Sequence, residues 1–228
     1  MDGAHMSNHL PNSQGLAAAR PLLRGAFHAL AFFLALPAIV LLRQSAKTPL
    51  AVWCVTIYGV CLLMVLGIST LYHRITYSPA ARARMRLCDH SAIFLLIAGT
   101  YTPICLLAIG GSLGRNLCTG VWAGAFLGII QTLFWPKAPR VLHVGIYAAL
   151  GWLGVFGLAA EFRQLGTTGT LFHVAGGILY TLGAIIYARK RPDPWPRVFG
   201  YHEVYHVLVV IACAALFEVV RRCALIPV

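Results

Sequence analysis

The sequence has few charged residues, and this shortage excludes an ordinary soluble domain. Only 11% of its 228 residues are Asp, Glu, Lys or Arg, whereas about 25% is usual in soluble globular domains. Hydrophobic residues make up 59% of the chain, and the mean hydropathy is +0.78. This composition indicates a protein that crosses a membrane several times.

Acidic residues are the scarcest charged group, with six Asp and Glu against 18 Lys and Arg and a formal net charge of +12. An excess of positive charge can indicate a nucleic-acid partner. Here the basic residues are dispersed over short segments between apolar runs, and membrane topology accounts for that arrangement. We therefore expect membrane lipids as partners and no nucleic acid.

The seven cysteines contain no CxxC pair, and most of them lie inside apolar runs. We interpret them as small buried hydrophobic residues rather than as a disulfide framework.

The N-terminal residues lack the features of a removable signal peptide. We therefore expect the first apolar run to stay in the protein as an anchor. We expect residues 1–24 to form a disordered cytoplasmic tail, and "MDGAHMSNHL" resembles in part the remnant of a cleaved expression tag.

Seven apolar runs are long enough to cross a bilayer, which takes about 20 residues per helix. They cover residues 25–43, 49–73, 87–109, 117–136, 141–160, 171–188 and 202–220. The connections between them are short, so neighbouring spans should be antiparallel and a second soluble domain is excluded. We predict an all-α integral membrane protein, a seven-transmembrane helix bundle formed by residues 25–228.

The distribution of Lys and Arg predicts the orientation of the bundle. Twelve of the 18 basic residues lie before the first span or after the second, fourth and sixth spans. Cytoplasmic segments carry an excess of Lys and Arg, so the N-terminus is predicted to be cytoplasmic and the C-terminus external.

The segment "GYHEVYHVLVV", residues 200–210, carries the HExxH order of soluble zinc proteases at His202, Glu203 and His206. Such a protease needs a third ligand, and Glu218 is the lone candidate after His206. Twelve helical residues span about 18 Å, too far for both to reach one ion. The third ligand must therefore come from another span.

Ionisable residues inside membrane spans are energetically costly and tend to mark functional sites. Polar and ionisable residues from three spans are predicted to lie at the same depth on the cytoplasmic side. They are Ser69, His73, Asp89, His90, His202 and His206.

Zinc suits this set of residues, because a catalytic zinc site uses three protein ligands and leaves a fourth position for water. We predict His73, His202 and His206 as the metal ligands, although the residues do not distinguish zinc from another imidazole-binding metal. We predict that Asp89 and Ser69 are catalytic. Asp89 is a general base or an acceptor outside the ligands, and Ser69 is a hydrogen-bonding group or an oxyanion stabiliser.

Simpler roles stay open for several of these residues. Asp89 could cap the third helix, and Ser69 could bond to a backbone carbonyl of its own helix. Glu203 points about 100° away from His202 on a helix, which favours a structural or headgroup-facing role. His28 and His143 lack paired spacing, so we interpret both as structural or interfacial.

At "STLYHR", "DHSAIFLLIAGTYTP" and "GYHEVYHVLVV" the chain resembles the hemolysin III family, the bacterial branch of the progestin and adipoQ receptor superfamily. That family is similar in turn to alkaline ceramidases. The resemblance implies zinc on three histidines near the cytoplasmic face of a bacterial inner membrane protein. It also implies a superfamily that includes lipid amide hydrolases.

The leading hypothesis is a zinc-dependent hydrolase of lipid amide or ester bonds that affects membrane lipid homeostasis. A membrane-fluidity sensor or receptor-like protein with structural zinc is the second hypothesis. A pore-forming cytolysin ranks last, because the runs are too uniformly apolar to line a wide aqueous channel. The lipid and the oligomeric state do not follow from the sequence.

Overall fold

The structure is a computed structural model that describes residues 21–75 and 77–227, in which α-helices dominate and no named strand occurs. The α-helices are α1 Ala26–Ser45, α2 Pro49–Arg74, α3 Pro79–Pro103, α4 Gly111–Phe134, α5 Arg140–Gly151, α6 Leu158–Arg189 and α7 Tyr201–Ala224. A π-helical segment, Ile104–Ile109, follows α3, and a 3-10 segment, Trp152–Gly157, joins α5 to α6. Most of the predicted N-terminal tail, residues 1–20, lies outside the described residues.

Six helical stretches in the described residues are long and apolar enough to cross a membrane. They are Ala26–Ser45, Pro49–Arg74, Pro79–Ile109, Gly111–Phe134, Arg140–Arg189 and Tyr201–Ala224. Large apolar side chains such as Phe33, Trp53 and Phe134 are exposed on the outside of the bundle. The prediction of an all-α, multi-pass membrane protein is therefore confirmed.

The fifth of these stretches is 50 residues long, which would measure about 75 Å as one straight helix, against a bilayer core of about 30 Å. Gly166 breaks its helical geometry with φ 66° and ψ −173°, a conformation that glycine adopts easily. Two hydrogen bonds join the part of the stretch before Gly166 to the part after it. Arg140 donates to the carbonyl of Tyr187 at 3.2 Å, and Trp152 Nε1 donates to Thr181 Oγ1 at 3.0 Å. The two halves of the stretch therefore pack side by side in opposite directions.

The start of α3 corrects the predicted boundary at residue 87, because the helix already begins at Pro79. The Ser78 hydroxyl accepts a hydrogen bond from the backbone N–H of Ala81 at 3.3 Å, and proline is favoured at the first helical position. Residues 79–86, predicted as part of a connection, therefore form the first two turns of α3. Arg82 on these turns lies over the ring of Tyr72, 4.8 Å from its centroid.

Close packing of α6 on α7 positions the start of α7, which carries His202 and His206. A Cβ atom at Gly176 would lie 2.8 Å from the side chain of Leu216, and one at Gly183 would lie 3.3 Å from the ring of Tyr205. Glycine therefore allows the two helices to approach closely, as is common in membrane bundles. This packing places the first turns of α7 in the interior of the bundle.

Candidate metal centre

Three histidine side chains from two helices meet in the interior of the protein. His73 lies in the last turn of α2, and His202 and His206 lie in the first two turns of α7. One ring nitrogen from each lies within 4.8 Å of the other two, and the Nε2 atoms of His73 and His202 are 3.2 Å apart. His73 and His206 are buried, and His202 is half-buried. The structure thus brings together the three predicted ligands, which we call the histidine cluster.

The local sequence explains how two helices present these rings. His202 and His206 are four residues apart in α7, so they lie on one face of the helix. Gly25, just before α1, has a φ of 76°, and a Cβ atom there would lie 2.8 Å from the Cβ of His73. Glycine at this position therefore lets the start of α1 pack directly on His73.

The donor set fits a zinc ion. Both ring nitrogens of His206 are buried, and neither has a hydrogen-bond partner among the described residues; leaving a buried polar group unsatisfied costs about 1–3 kcal/mol. Two nitrogens bound tetrahedrally to one zinc at about 2.0–2.1 Å would be roughly 3.3 Å apart. The 3.2 Å between the Nε2 atoms of His73 and His202 is close to that spacing. His73, His202 and His206 could therefore supply three ligands to one ion.

Ser69 and Asp89 come together beside the cluster. Ser69 is buried one turn before His73 in α2, and its hydroxyl lies within hydrogen-bonding reach of the Asp89 carboxylate on α3. Tyr187 and Tyr205 are electrostatic neighbours of Asp89, and their ring centroids lie 5.8 and 6.0 Å from that of His202. Asp89 therefore shares two aromatic neighbours with the histidine cluster.

Capping does not explain Asp89, because α3 begins at Pro79, about three turns earlier. The catalytic roles of Ser69 and Asp89 stay predictions.

His90 packs against residues outside the histidine cluster. Its ring lies 5.8 Å from that of His143, and its carbonyl accepts a hydrogen bond from Tyr147.

Glu203 has structural partners at the start of α7. Its carboxylate is buried, accepts a hydrogen bond from the backbone N–H of Gly200 at 2.9 Å, and forms an ion pair with Arg24 at 2.5 Å. The segment containing Arg24 is also tied to the connection before α7, because the N–H of Leu22 donates to the carbonyl of Arg197 at 3.1 Å. These contacts favour the structural interpretation of Glu203.

We expect Arg24→Ala to lower the free energy of unfolding by about 3 kcal/mol, because it leaves the buried Glu203 carboxylate without its cation. Thermal unfolding of the detergent-purified protein would measure the change, and adding Glu203→Gln should restore most of the loss. Arg221→Ala is the matched control, since its pair with Glu218 is largely exposed and such pairs contribute about 0–1 kcal/mol. Equal stabilities of Arg24→Ala and the unmodified protein would contradict this prediction.

His28 is a neighbour of the cluster that sequence reasoning set aside. Its ring centroid lies 3.9 Å from that of His206, and its side chain is buried. The contact joins α1 to α7, so no local spacing in the sequence reveals it. The lone feature of the sequence that pointed to this contact was the position of His28 near the predicted cytoplasmic start of the first span.

A second buried polar pair, also missed, joins Glu161 to His173. Glu161 was predicted to lie in a connection between spans, but it is helical and fully buried, and its Oε2 is 2.6 Å from Nδ1 of His173. Glu161 lies before Gly166 and His173 lies after it, so the pair joins the two antiparallel halves of the stretch. It is separate from the histidine cluster.

A largely apolar cavity of about 120 Å³ lies among α3, α5, α6 and α7. Its lining includes Ile93, Leu96, Tyr101, Tyr147, Trp152, His173, Tyr180, Tyr205 and Leu216. Tyr205 also contacts the rings of His202 and His206. The cavity therefore extends from the neighbourhood of the histidine cluster to that of the second polar pair.

Comparisons with known proteins give one family match and several relatives. A family model described as "Haemolysin-III related" matches residues 16–217. The chain is 34% identical over 204 residues to "Hemolysin-3 homolog" of Bacillus subtilis (strain 168), covering 88% of this chain and 92% of that protein. It is 34% identical over 193 residues to "Hemolysin-3" of Bacillus cereus, covering 83% and 85%. It is 24% identical over 201 residues to "Monocyte to macrophage differentiation factor" of Homo sapiens, covering 83% and 79%.

Proposed function

The chain belongs to the haemolysin-III related family, and we propose that within this family it acts as a zinc-dependent hydrolase of lipid amide or ester bonds. The observation that carries the proposal is the buried histidine cluster, with the Ser69–Asp89 pair beside it and an apolar cavity that Tyr205 joins to the cluster. Such a hydrolase would change the lipid composition of the membrane that holds it.

The proposal includes seven membrane crossings in a bacterial inner membrane. The reversal at Gly166 supports two crossings for the 50-residue stretch rather than one. The Lys and Arg distribution supports a cytoplasmic N-terminus and an external C-terminus. In this orientation the histidine cluster lies near the cytoplasmic face.

His73, His202 and His206 would hold the zinc ion, which supplies a Lewis acid that polarises a carbonyl group and makes water a stronger nucleophile. Three protein ligands leave a position for a fourth group. The buried environment of His73 and His206 keeps bulk water away from the reacting bond.

Asp89 would accept the proton of the attacking water at a carboxylate oxygen. Its electrostatic neighbours Tyr187 and Tyr205 also contact His202, which supports a position for Asp89 close to the cluster. Ser69, whose hydroxyl lies close to the Asp89 carboxylate, would donate a hydrogen bond to it and so hold the carboxylate in one orientation.

The apolar cavity is the region where the acyl chains of a lipid would lie. Its lining is dominated by aliphatic and aromatic side chains, and Tyr205 joins it to the histidine cluster. A lipid could thus place its chains among α3, α5, α6 and α7 and its polar linkage near His202. The cavity therefore supports a membrane lipid rather than a water-soluble metabolite as substrate.

We expect Asp89→Asn to lower lipid hydrolysis by about 10²–10⁴-fold, because an amide cannot act as the general base. Zinc content should stay unchanged, since Asp89 is not a proposed ligand. The measurement is hydrolysis of ceramides and ester phospholipids presented in nanodiscs, with Ser91→Ala on the same helix as the control.

Two outcomes would reject the enzymatic proposal. Unreduced hydrolysis by Asp89→Asn with normal zinc content would remove the assigned base. Zinc-bound protein that cleaves no lipid amide or ester would favour the sensor with structural zinc, and large zinc-independent conductance in liposomes would favour the pore-forming cytolysin.

A further inference from the structure

Where α1 meets α7, four buried imidazole nitrogens that have no hydrogen-bond partner in the described part of the chain lie side by side. The rings of His28 and His206 have centroids 3.9 Å apart and planes tilted by 57°. Both side chains are 3% exposed. Neither nitrogen of either ring has a hydrogen-bond partner among the described residues. Buried nitrogens that have lost contact with water need another partner, which can be a bound ligand or a hydrogen bond to each other.

A metal ion would satisfy one nitrogen of His206 and leave the other in need of an acceptor. Metal-bound histidines almost always donate their second N–H to a carboxylate, a carbonyl or a water, which fixes the tautomer and the ring orientation. The nearest carboxylate on the same helix, that of Glu203, is engaged by Arg24 and by the N–H of Gly200. Of the rings that contact His206 and are not proposed ligands, that of His28 is nearer, at 3.9 Å between centroids against 5.4 Å for Tyr205.

We propose that His28 is the positioning residue for His206. One nitrogen of His28 accepts the hydrogen bond from the ring nitrogen of His206 that the metal does not use. The bond forms after a small rotation of the rings or through one buried water. This inference rests on the proposed metal centre and adds a contribution from α1 to it.

The packing of α1 supports this role. Gly25, one turn before His28, lies against His73, so the first turns of α1 approach two members of the histidine cluster. The Arg24–Glu203 ion pair fixes the same end of α1 to the first turn of α7. His28 is therefore held in place by contacts that do not depend on its own ring.

The test compares zinc dissociation constants of the full-length, detergent-purified protein and its variants, measured by competition with a chelator. His28→Phe keeps an aromatic ring but has no acceptor, and we expect it to weaken zinc binding about 10–100-fold. His28→Gln keeps a polar acceptor and should recover part of that loss. The absorption spectrum of cobalt-substituted protein should change in His28→Phe, because the ring orientation of His206 changes.

His143→Phe is the matched control. His143 is also a buried histidine, and its Nδ1 has no hydrogen-bond partner among residues 21–75 and 77–227, but its ring neighbour is His90 rather than the histidine cluster. Zinc affinity and the cobalt spectrum should both be unchanged in this variant.

Unchanged zinc affinity in His28→Phe would overturn the inference while leaving the proposed metal centre intact. Equal losses in His28→Phe, His28→Gln and His143→Phe would also overturn it, because they would indicate a general effect on folding. An unmodified protein that binds no zinc would remove both the metal centre and the inference. Zinc binding without lipid hydrolysis would contradict the enzymatic proposal alone, and the affinities would still test His28.

Discussion

Replacing either His73 or His202 by alanine is expected to remove zinc from the detergent-purified protein, which should hold about one zinc per chain when unmodified. Each substitution leaves two of three histidine ligands, and two imidazoles in this cluster cannot retain the ion through purification. Elemental mass spectrometry of protein washed with a mild chelator would measure the loss. Because His73 lies on α2 and His202 on α7, loss in both variants would establish that the site joins these two helices.

His143→Ala provides the control for this experiment, since it removes a buried histidine outside the cluster. It should retain the zinc content of the unmodified protein. Zinc retained in both ligand variants would show that the ion binds elsewhere. Full lipid hydrolysis by a metal-free variant would refute the zinc-dependent mechanism.

Gly114→Ala is expected to be strongly destabilising, lowering the free energy of unfolding by about 3 kcal/mol. A Cβ atom at this position of α4 would overlap the carbonyl oxygen of Cys105. That carbonyl belongs to the π-helical segment and accepts a hydrogen bond from the N–H of Gly110 at 2.9 Å. Backbone on both sides of the turn would have to move, so relief by side-chain rotation is excluded.

Gly120→Ala in the same helix is the matched control, because a Cβ atom there would meet no described atom within 4 Å apart from its chain neighbours and the nearby backbone of α4. Its free energy of unfolding should change by less than about 1 kcal/mol. Thermal unfolding of both variants in the same detergent would measure the difference. Equal stabilities would show that α4 does not pack on the π-helical segment as closely as the structure indicates.

The positions of the helices were predictable because a membrane span must be long and continuously apolar. The ends of the helices were less predictable, as α3 demonstrates. The charges of Arg82, Arg84 and Arg86 end the apolar pattern, but Ser78 and Pro79 start the helix about two turns before it. Hydropathy reports where lipid surrounds the chain, whereas backbone hydrogen bonding decides where a helix begins.

The histidine cluster was predictable because its members obey rules that the sequence displays. The four-residue spacing of His202 and His206 places both on one helical face. His73 was predicted to lie near them because its span ends on the side of the membrane where the last span begins. The structure confirms that the three rings meet. The Arg24–Glu203 ion pair and the burial of Glu161 against His173 were not predictable in this way.

Composition and residue spacing were enough to predict a multi-pass helical membrane protein with a histidine motif at the start of its last helix. Composition is a property of the whole chain and helical periodicity depends on residues close in sequence, so both can be read directly from the amino-acid sequence. The tertiary structure alone decided that His28 lies against His206 and that an apolar cavity opens beside the cluster. These features depend on how α1, α3, α5, α6 and α7 pack, and packing brings together residues whose separation along the chain carries no local pattern.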